Sequence, residues 1–296
     1  MSMDSAGLSI IVGVDGSAQS DAAVRWAAGE AAMRGMPLIL MHVVAPIVVS
    51  WPVGPAQANI TEWQEDNARQ IVAHAQDTLR AGVGDAVPPD VRTEVRYAGT
   101  VGAFVDATTE SWMVVVGRSG HGGLGRTVLG SVSSGLVHHA QCPVAVVHET
   151  DTRAADPTRP VLLGVDGSPA SEAATAFAFD EASRRGVDLV ALHAWSDVGV
   201  FGFIGGSWPQ HDDLGYEVLA ERLAGWQEQY PDVTVHRRIV CDQPGRWLVD
   251  ESENAQLVVV GSRGRGGFAG MLLGSVSSAV ARAAKAPVVV ARSSFE

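Results

Sequence analysis

Short apolar runs alternate with longer segments of helical periodicity along the whole chain. The apolar runs predict ten strands, at 8–14, 38–44, 91–97, 112–117, 142–147, 160–166, 187–195, 232–240, 256–261 and 286–292. The segments between them predict helices, at 22–33, 59–81, 101–110, 131–140, 170–185, 212–229, 244–254 and 275–284. Strands that alternate with helices indicate parallel sheets with helices packed against them, which is an α/β fold.

A glycine-rich stretch occurs twice. Residues 113–134 and 257–278 each carry four apolar residues ending in a glycine, then a glycine-rich loop, then Gly-Ser before a helical run, at an offset of 144 residues (261 − 117). A Val-Asp-Gly-Ser sequence, which ends the first strand of each half, also recurs, at Asp15 and Asp166. The chain is therefore a tandem duplication, with predicted domains at 1–150 and 161–296 joined by a polar linker at 151–160.

Composition narrows the classes of partner and the location. The net charge of −12 and the pI near 5.1 argue against nucleic-acid and anionic-membrane binding. The chain begins without a basic signal-peptide segment, and its longest apolar run, 36–49, is broken by prolines and a histidine, so we expect no membrane span. Cys142 and Cys241 are predicted to be free thiols in a reducing compartment, and the expected location is the cytoplasm.

The repeated stretch has the local features of an anion site. A buried strand leads into a loop whose glycines permit positive φ and close approach of N–H groups, and the loop leads to a helix that we expect Ser131 or Ser275 to cap. A strand end, a cluster of N–H groups and a helix N-terminus together make an anion site, which is most often a site for phosphate. Lys285 is the only lysine among 21 basic residues, so backbone N–H groups, hydroxyls and arginines must hold the phosphate.

Three phosphate motifs compete for this stretch. A Walker A loop requires Gly-Lys-Ser/Thr, which neither copy has. The dinucleotide pattern G-x-G-x-x-G/A matches formally, but it follows the fourth strand rather than the first, and no acidic residue follows at the required distance. The third motif, G-x2-G-x9-G-[S/T], matches in both halves, as Gly117-Gly120-Gly130-Ser131 and as Gly261-Gly264-Gly274-Ser275.

By this motif and the upstream Val-Asp-Gly-Ser, the chain resembles the universal stress protein family in its ATP-binding branch, and its tandem arrangement resembles the mycobacterial two-domain members. The resemblance covers both halves. It implies two Rossmann-like (flavodoxin-like) domains, each a five-stranded parallel sheet of order 3-2-1-4-5 with helices on both faces. It also implies ATP, with or without Mg²⁺, at the point where the strand order reverses.

Carried over residue by residue, the resemblance implies a nucleotide site in each half, with Asp15 and Asp166 near the adenosine and Val43 and Ala194 beside the adenine. The first site comprises Gly13, Val14, Asp15, Val43, Gly117, Arg118, Ser119, Gly120, His121, Gly122, Gly123, Gly130, Ser131, Val132 and Ser133. The second comprises Gly164, Val165, Asp166, Ala194, Gly261, Ser262, Arg263, Gly264, Arg265, Gly266, Gly267, Gly274, Ser275, Val276 and Ser277.

The two loops begin differently, with Arg118-Ser119-Gly120-His121 in the first and Ser262-Arg263-Gly264-Arg265 in the second. The second of these segments carries more positive charge, so we expect the second site to bind ATP at least as tightly. His121 would make the first site sensitive to pH. Several other aromatic and histidine residues have ordinary explanations. His42 and His193 occupy equivalent strand positions as core or site-wall residues, and Trp51 and Trp208 either cover the nucleotide or pack at an interface.

Two functional classes remain. The first is an ATP-binding regulator of growth or stress physiology, acting through nucleotide-dependent conformation or association with an unknown protein partner. The second is an enzyme, either a slow ATPase or a nucleotidyl or phosphoryl transferase. The motifs of each half supply only one aspartate, and no His–Asp or paired-carboxylate constellation is shared by the repeats, so we favour the regulator. His138 and His139 face different ways on a helix and no Cys or carboxylate cluster joins them, so we predict no metal site. The apolar fifth strands would be sheet edges, and we expect the halves to pair there as a pseudo-dimer, with two chains forming a homodimer.

Overall fold

The computed structural model describes residues 8–46, 54–82, 90–120, 128–148, 156–195, 209–264 and 272–292. The chain separates into two compact units, residues 1–149 and 150–296. Of the predicted linker, residues 151–155 lie outside the described residues, and residues 156–160 lead directly into the first strand of the second unit.

The described residues of the first unit form a five-stranded parallel sheet with four helices. Its elements in chain order are β1 Ser9–Gly13, α1 Ala18–Arg34, β2 Leu38–Val44, α2 Gly54–Gly82, β3 Val91–Tyr97, α3 Thr100–Ala107, β4 Ser111–Gly117, α4 Ser131–His139 and β5 Val144–Val147. The strands pair in the order β3-β2-β1-β4-β5, and every pairing is parallel. The order reverses at β1, because β2 lies on one side of it and β4 on the other.

The second unit repeats this plan. Its elements are β6 Val161–Val165, α5 Pro169–Arg185, β7 Leu189–Trp195, α6 Pro209–Gln229, β8 Val235–Cys241, α7 Pro244–Glu251, a 3-10 turn Ser252–Asn254, β9 Leu257–Gly261, α8 Ser275–Ala283 and β10 Val288–Ala291. The parallel pairings give the order β8-β7-β6-β9-β10. The predicted α/β fold with parallel sheets and helices is therefore confirmed in both halves.

The central strands are buried on both faces. Ile10, Ile11 and Val12 of β1 follow one another along the strand and are all buried, although alternate side chains point to opposite faces of a sheet. Burial of both faces explains why these strands appear as unbroken apolar runs rather than as alternating patterns. The outer strand β3 is half exposed, with a polar sequence that discourages edge pairing.

Helix boundaries follow local signals. Gly35 ends α1 in the left-handed conformation, with φ of 64°, and its N–H donates to the carbonyls of Ala31 and Ala32. Helix α2 begins at Gly54, five residues before the predicted start at 59. The proline in its first turn is tolerated there, because no helical hydrogen bond is lost at that position. In the second half, α7 ends at Glu251 and only the 3-10 turn continues to Asn254, so the predicted helix over 244–254 was too long.

The helices in the described ranges were predicted to contain no membrane span. None of the helices there combines the length and the apolar composition that a bilayer span requires.

Candidate functional site

A cavity of about 590 Å³ lies at the carboxyl ends of β1, β2 and β4 in the first unit. This is the place where the strand order reverses, and the volume is that of a typical small-molecule site. The described residues that line it are Gly13, Val14, Asp15, Ser17, Ser20, His42, Val43, Thr100, Phe104, Val116, Gly117, Ser119, Gly120, Val128, Leu129, Gly130, Ser131, Val132 and Ser133.

The turn after β1 fixes an aspartate at the floor of the cavity. Gly16 has φ of +81°, and the N–H of Ser17 donates to Oδ1 of Asp15 at 3.0 Å. Ser17 then caps α1 by accepting from the N–H of Ser20 at 3.2 Å. These bonds within one turn orient the carboxylate toward the loop after β4.

The second unit builds the same turn. Gly167 has φ of +75°, and the N–H of Ser168 donates to Oδ1 of Asp166 at 2.9 Å. Ser168 accepts from the N–H of Ser171 at 3.2 Å, so it caps α5 as Ser17 caps α1. The hydroxyl of Ser168 also donates to the carbonyl of Arg263 at 3.1 Å, which ties this turn to the second glycine loop.

The motif glycines supply space rather than unusual backbone angles. A Cβ on Gly117 would stand 2.8 Å from the backbone carbonyl carbon of Gln19, and one on Gly261 would stand 2.6 Å from the carbonyl oxygen of Ala170. The positive φ values in the described residues occur elsewhere, at Gly16, Gly35, Gly167 and Gly186 and at two residues that are not glycine, Asp242 and Gln243. The expectation that the loop glycines adopt positive φ is therefore wrong for Gly117, Gly120 and Gly130. Gly117 and Gly130 instead permit close approach of neighbouring backbone, and Gly120 leaves room for the carboxylate of Asp15.

Each loop closes with one backbone hydrogen bond at the glycine that precedes the helix. The N–H of Gly130 donates to the carbonyl of Arg118 at 2.8 Å, and the N–H of Gly274 donates to the carbonyl of Ser262 at 2.8 Å. Because both ends of the loop are tied together in this way, the end of β4 is held beside the start of α4, and β9 is held beside α8. A ligand in the cavity can then contact the strand end and the helix start together.

The helices that follow start differently from the prediction. The N-cap of α4 is Gly130 and that of α8 is Gly274, and neither makes a side-chain cap hydrogen bond. Ser131 and Ser275 are the first helical residues, so their predicted role as N-caps is wrong. Both glycines are in the extended conformation, and their carbonyls accept the first helical hydrogen bonds, from the backbone N–H of Ser134 at 2.9 Å and of Ser278 at 3.0 Å.

A helix whose N-cap has no side chain keeps its first-turn N–H groups available to a ligand. The hydroxyl of Ser133 donates instead to the carbonyl of Gly117 at 2.7 Å, and that of Ser277 to the carbonyl of Gly261 at 2.5 Å. These bonds lock the third residue of the helix onto the end of the preceding strand. The positive end of the α4 dipole thus faces the cavity edge with backbone donors, which is a phosphate-binding arrangement, and α8 starts in the same way.

The far wall of the cavity is formed by β2. His42 and Val43 line it, and Nδ1 of His42 lies 2.7 Å from the carbonyl oxygen of Val14. In the second unit Nδ1 of His193 lies 2.7 Å from the carbonyl oxygen of Val165. The histidine on the second strand therefore braces the end of the first strand in both halves.

Most of the predicted first-site residues that the structure describes line the cavity. The exception is Arg118, whose N–H donates to the carbonyl of Val147 at 2.8 Å and which is not among the lining residues. Several predicted residues lie outside the described residues: His121, Gly122, Gly123, Arg265, Gly266 and Gly267, and with them Trp51 and Trp208.

Sequence reasoning missed some of the cavity wall. The missed residues are Ser17, Ser20, Thr100, Phe104, Val116, Val128 and Leu129. His42, for which core and site-wall roles were both left open, also lines the cavity. Thr100 and Phe104 come from α3, which no motif connects with the site, and only the fold brings them there. Ser17 had a signal, because the Asp-Gly-Ser turn is repeated, but only the aspartate of that turn was assigned to the site.

Charge in the cavity is sparse. Among the described lining residues Asp15 is the only carboxylate, and none is lysine or arginine. Within the described ranges, no group of three His, Cys, Asp or Glu side chains is placed to hold a metal ion. What the described wall offers a ligand is therefore backbone donors at one end, one carboxylate in the middle, and a histidine and apolar side chains at the other.

Comparison with known proteins gives a consistent match. The model of the universal stress protein family matches residues 8–148 and 157–292. A universal stress protein of Mycolicibacterium smegmatis is 58% identical over 283 residues, which cover 96% of this chain and 96% of that protein. The crystal structure of a universal stress protein from Archaeoglobus fulgidus, 22% identical, superposes with a TM-score of 0.70 and covers 96% of this chain and 98% of that one. A universal stress protein solved in complex with cAMP is 26% identical, covers 48% of this chain and 98% of its own, and superposes with a TM-score of 0.35.

Proposed function

The chain belongs to the universal stress protein family, and we propose that each of its halves binds one ATP and that occupancy of the two sites regulates the protein's conformation or association. The observation that carries this proposal is the start of α4 and α8. Each helix begins at a glycine without a side-chain cap, beside a strand end and across from an aspartate. At α4 these groups line a cavity of nucleotide size. A triphosphate chain is the ligand that fits an array of backbone N–H donors at a helix N-terminus.

The order of groups along the cavity supports a nucleotide rather than a simple anion. The backbone donors of α4 suit the phosphates, whereas Asp15 would repel a phosphate and suits the hydroxyls of a ribose. The apolar wall of Val43 and Phe104 suits the face of a base. The relation of Asp166 to Gly264 and α8 is equivalent, so we extend the proposal to the second half.

The regulator is favoured over the enzyme because the described cavity wall has too few carboxylates for ATP hydrolysis. Hydrolysis of ATP requires a group that positions or deprotonates water, and usually carboxylates that hold Mg²⁺. Among the described lining residues only Asp15 is a carboxylate, and its Oδ1 already accepts from Ser17. Mg²⁺ would then enter bound to the phosphates of ATP rather than in a protein cage.

Native mass spectrometry tests the proposal. We expect two ATP adducts per chain after incubation with ATP and Mg²⁺, one adduct in Gly120→Ala and in Gly264→Ala, and none in the double variant. Gly102→Ala is the matched control, since a Cβ there meets nothing within 4 Å, and it should retain two adducts. No adduct in the unmodified chain would refute the nucleotide function.

Two further measurements distinguish ATP from other nucleotides and the regulator from the slow ATPase. Preferential retention of ADP, GTP or cAMP in competition with ATP would overturn the assignment to ATP while leaving a nucleotide site. Conversion of the adducts to ADP within minutes would replace the regulator with the slow ATPase.

Three further expectations stay predictions: that two chains associate, that the halves pair through β5 and β10, and that the protein is cytoplasmic. Sedimentation velocity with and without ATP tests the first of these. A mass of one chain in both conditions would contradict the homodimer.

A further inference from the structure

A guanidinium on α6 lies against the turn that carries the aspartate of the second unit. Nη1 of Arg222 donates to the carbonyl oxygen of Gly167 at 3.3 Å. A Cβ atom on Gly167 would collide with Cζ and both terminal nitrogens of that side chain. Gly167 is therefore required twice, once for its φ of +75° and once because the guanidinium fills the space beside its α-carbon.

The carbonyl that Arg222 contacts belongs to the peptide group that also holds Asp166. This peptide group joins Gly167 to Ser168. Its oxygen accepts from Arg222, and its N–H donates to Oδ1 of Asp166 at 2.9 Å. Glycine has the widest choice of backbone angles, so a change in ψ of Gly167 can turn this peptide plane. Such a turn would take the N–H away from the carboxylate, and the bond from Arg222 opposes it.

The fold itself gains little from this side chain. Nε of Arg222 is buried and makes no hydrogen bond within the part of the chain that the structure describes. A buried donor without a partner costs free energy. The ion pair with Glu172 is long, with Nη1 and Oε1 3.9 Å apart, and Glu172 is exposed, so the pair stabilises the fold only weakly. The placement of Arg222 points instead to a role at the turn.

The corresponding helix of the first unit makes a different contact. β3 and β8 correspond at an offset of 144 residues (235 − 91), and by the same offset Arg222 corresponds to Thr78 (222 − 78). The hydroxyl of Thr78 donates to Oδ1 of Asp21, in the first turn of α1, at 3.4 Å. The contact from α2 thus ends on helix α1, whereas the arginine of α6 reaches the turn before α5. The two sites therefore differ at this turn although their motifs are the same.

We propose that Arg222 is a positioning residue of the second nucleotide site, which fixes the peptide group between Gly167 and Ser168 and through it the carboxylate of Asp166. This inference rests on the proposed function, in which that carboxylate suits the hydroxyls of a ribose, and deepens it by naming the group that holds the carboxylate in place. The second site then discriminates ribose from dideoxyribose more strongly than the first.

The test measures ribose discrimination at each site separately. Gly120→Ala leaves the second site for titration, and Gly264→Ala leaves the first. Isothermal titration in each background gives the affinities of ATP and of 2′,3′-dideoxy-ATP, which lacks both ribose hydroxyls. We expect the second site to bind ATP at least about tenfold more tightly than the dideoxy analogue, and this ratio to fall to about threefold or less when Arg222→Met is added. Methionine keeps an apolar stem and removes the donor and the charge.

Two controls show whether the effect is local. Arg222→Met should leave the ratio at the first site unchanged. Arg184→Met makes the same substitution at the other end of α5, where the guanidinium pairs with Asp180 at 2.9 Å, and it should leave both ratios unchanged. The ratio of two affinities measured on one preparation does not depend on the fraction of folded protein, so partial unfolding of a variant cannot mimic the result.

The proposed function and the role of Arg222 fail in different ways. If the unmodified chain binds no nucleotide, the proposed function fails. If the second site binds ATP but does not discriminate against the dideoxy analogue, or discriminates equally well in Arg222→Met, the function stands and the positioning role is refuted. An equal loss of affinity for ATP and for the analogue would assign the arginine to the phosphates and overturn its assignment to the turn.

Discussion

Oδ2 of Asp166 occupies the space in which Gly264 would carry a Cβ atom. The same relationship holds in the first unit between Asp15 and Gly120. A turn that follows the first strand of each half is thereby fitted against the loop that follows the fourth. The second motif glycine is needed because the carboxylate fills the volume that any other side chain would enter.

Replacement of this glycine should affect the ligand more than the fold. In Gly264→Ala the new methyl group displaces the end of a flexible side chain, Asp166, and leaves the surrounding backbone in place. We expect ATP affinity at the second site to fall at least tenfold, and the free energy of unfolding to change by less than about 1 kcal/mol. Equilibrium dialysis and urea denaturation measure the two quantities. A stable variant with full affinity at both sites would contradict the role assigned to Asp166.

Replacement of the first motif glycine should do the reverse. A Cβ on Gly117 would meet backbone atoms of Gln19 at 2.8 Å, and backbone in the first turn of α1 cannot turn aside as a side chain can. We expect Gly117→Ala to destabilise the first unit by about 1–3 kcal/mol. Gly29→Ala, in the same helix α1 with open space at its Cβ, should instead stabilise by about 0.5–1 kcal/mol. Equal urea midpoints for the two variants would refute this packing argument.

The serines at the helix starts should separate into two kinds. Ser168 caps α5 through the N–H of Ser171, so Ser168→Ala should cost about 1 kcal/mol of unfolding free energy. Ser275 is exposed and follows the cap glycine of α8, so Ser275→Ala should change the unfolding free energy by less than about 0.5 kcal/mol. Thermal unfolding of both variants without nucleotide makes the comparison. A cost at Ser275 as large as that at Ser168 would restore the capping role that the structure assigns to Gly274.

A buried ion pair in α1 should matter more than any surface pair. The side chains of Glu30 and Arg34 are 2% and 4% exposed, with Oε2 and Nε 3.5 Å apart, and the guanidinium lies 4.2 Å from the ring centroid of Trp112. Glu30→Gln removes the carboxylate charge that faces a buried cation, and we expect a loss of about 3–5 kcal/mol. The control is Asp77→Asn, in an exposed pair with Arg80, which should change stability by less than about 0.5 kcal/mol. Urea denaturation measures both, and equal effects would show that the burial of Glu30 is energetically unimportant.

The sequence was informative wherever a property depends on neighbours along the chain. β2 Leu38–Val44 and β3 Val91–Tyr97 begin and end at the predicted residues, because continuous apolar or alternating runs report burial directly. The duplication placed the aspartate turns and glycine loops in both halves. The helix start at Gly54 was missed because the preceding stretch contains prolines and has no capping signal.

The pattern of apolar and polar residues along the sequence could not predict contacts between distant segments. Nothing near Phe104 indicates that its ring lies 3.0 Å from the position of a Cβ on Gly13, since that contact depends on how α3 crosses the sheet. His42 was placed on the correct strand, but its bond to Val14 depends on the register between β1 and β2. Ser131 matched a capping signal, yet the glycine before it took the cap position, because the loop had to close on Arg118.

The bare helix starts at Gly130 and Gly274 also determine which experiments can detect the site at all. The groups that would grip a phosphate there are peptide N–H groups, and truncating a side chain leaves every one of them in place. An alanine scan of 130–133 or 274–277 would therefore leave the proposed anion-binding element of each half intact and report it as inert. Amide-to-ester substitution, which deletes one N–H at a time and leaves the side chain unchanged, would detect it.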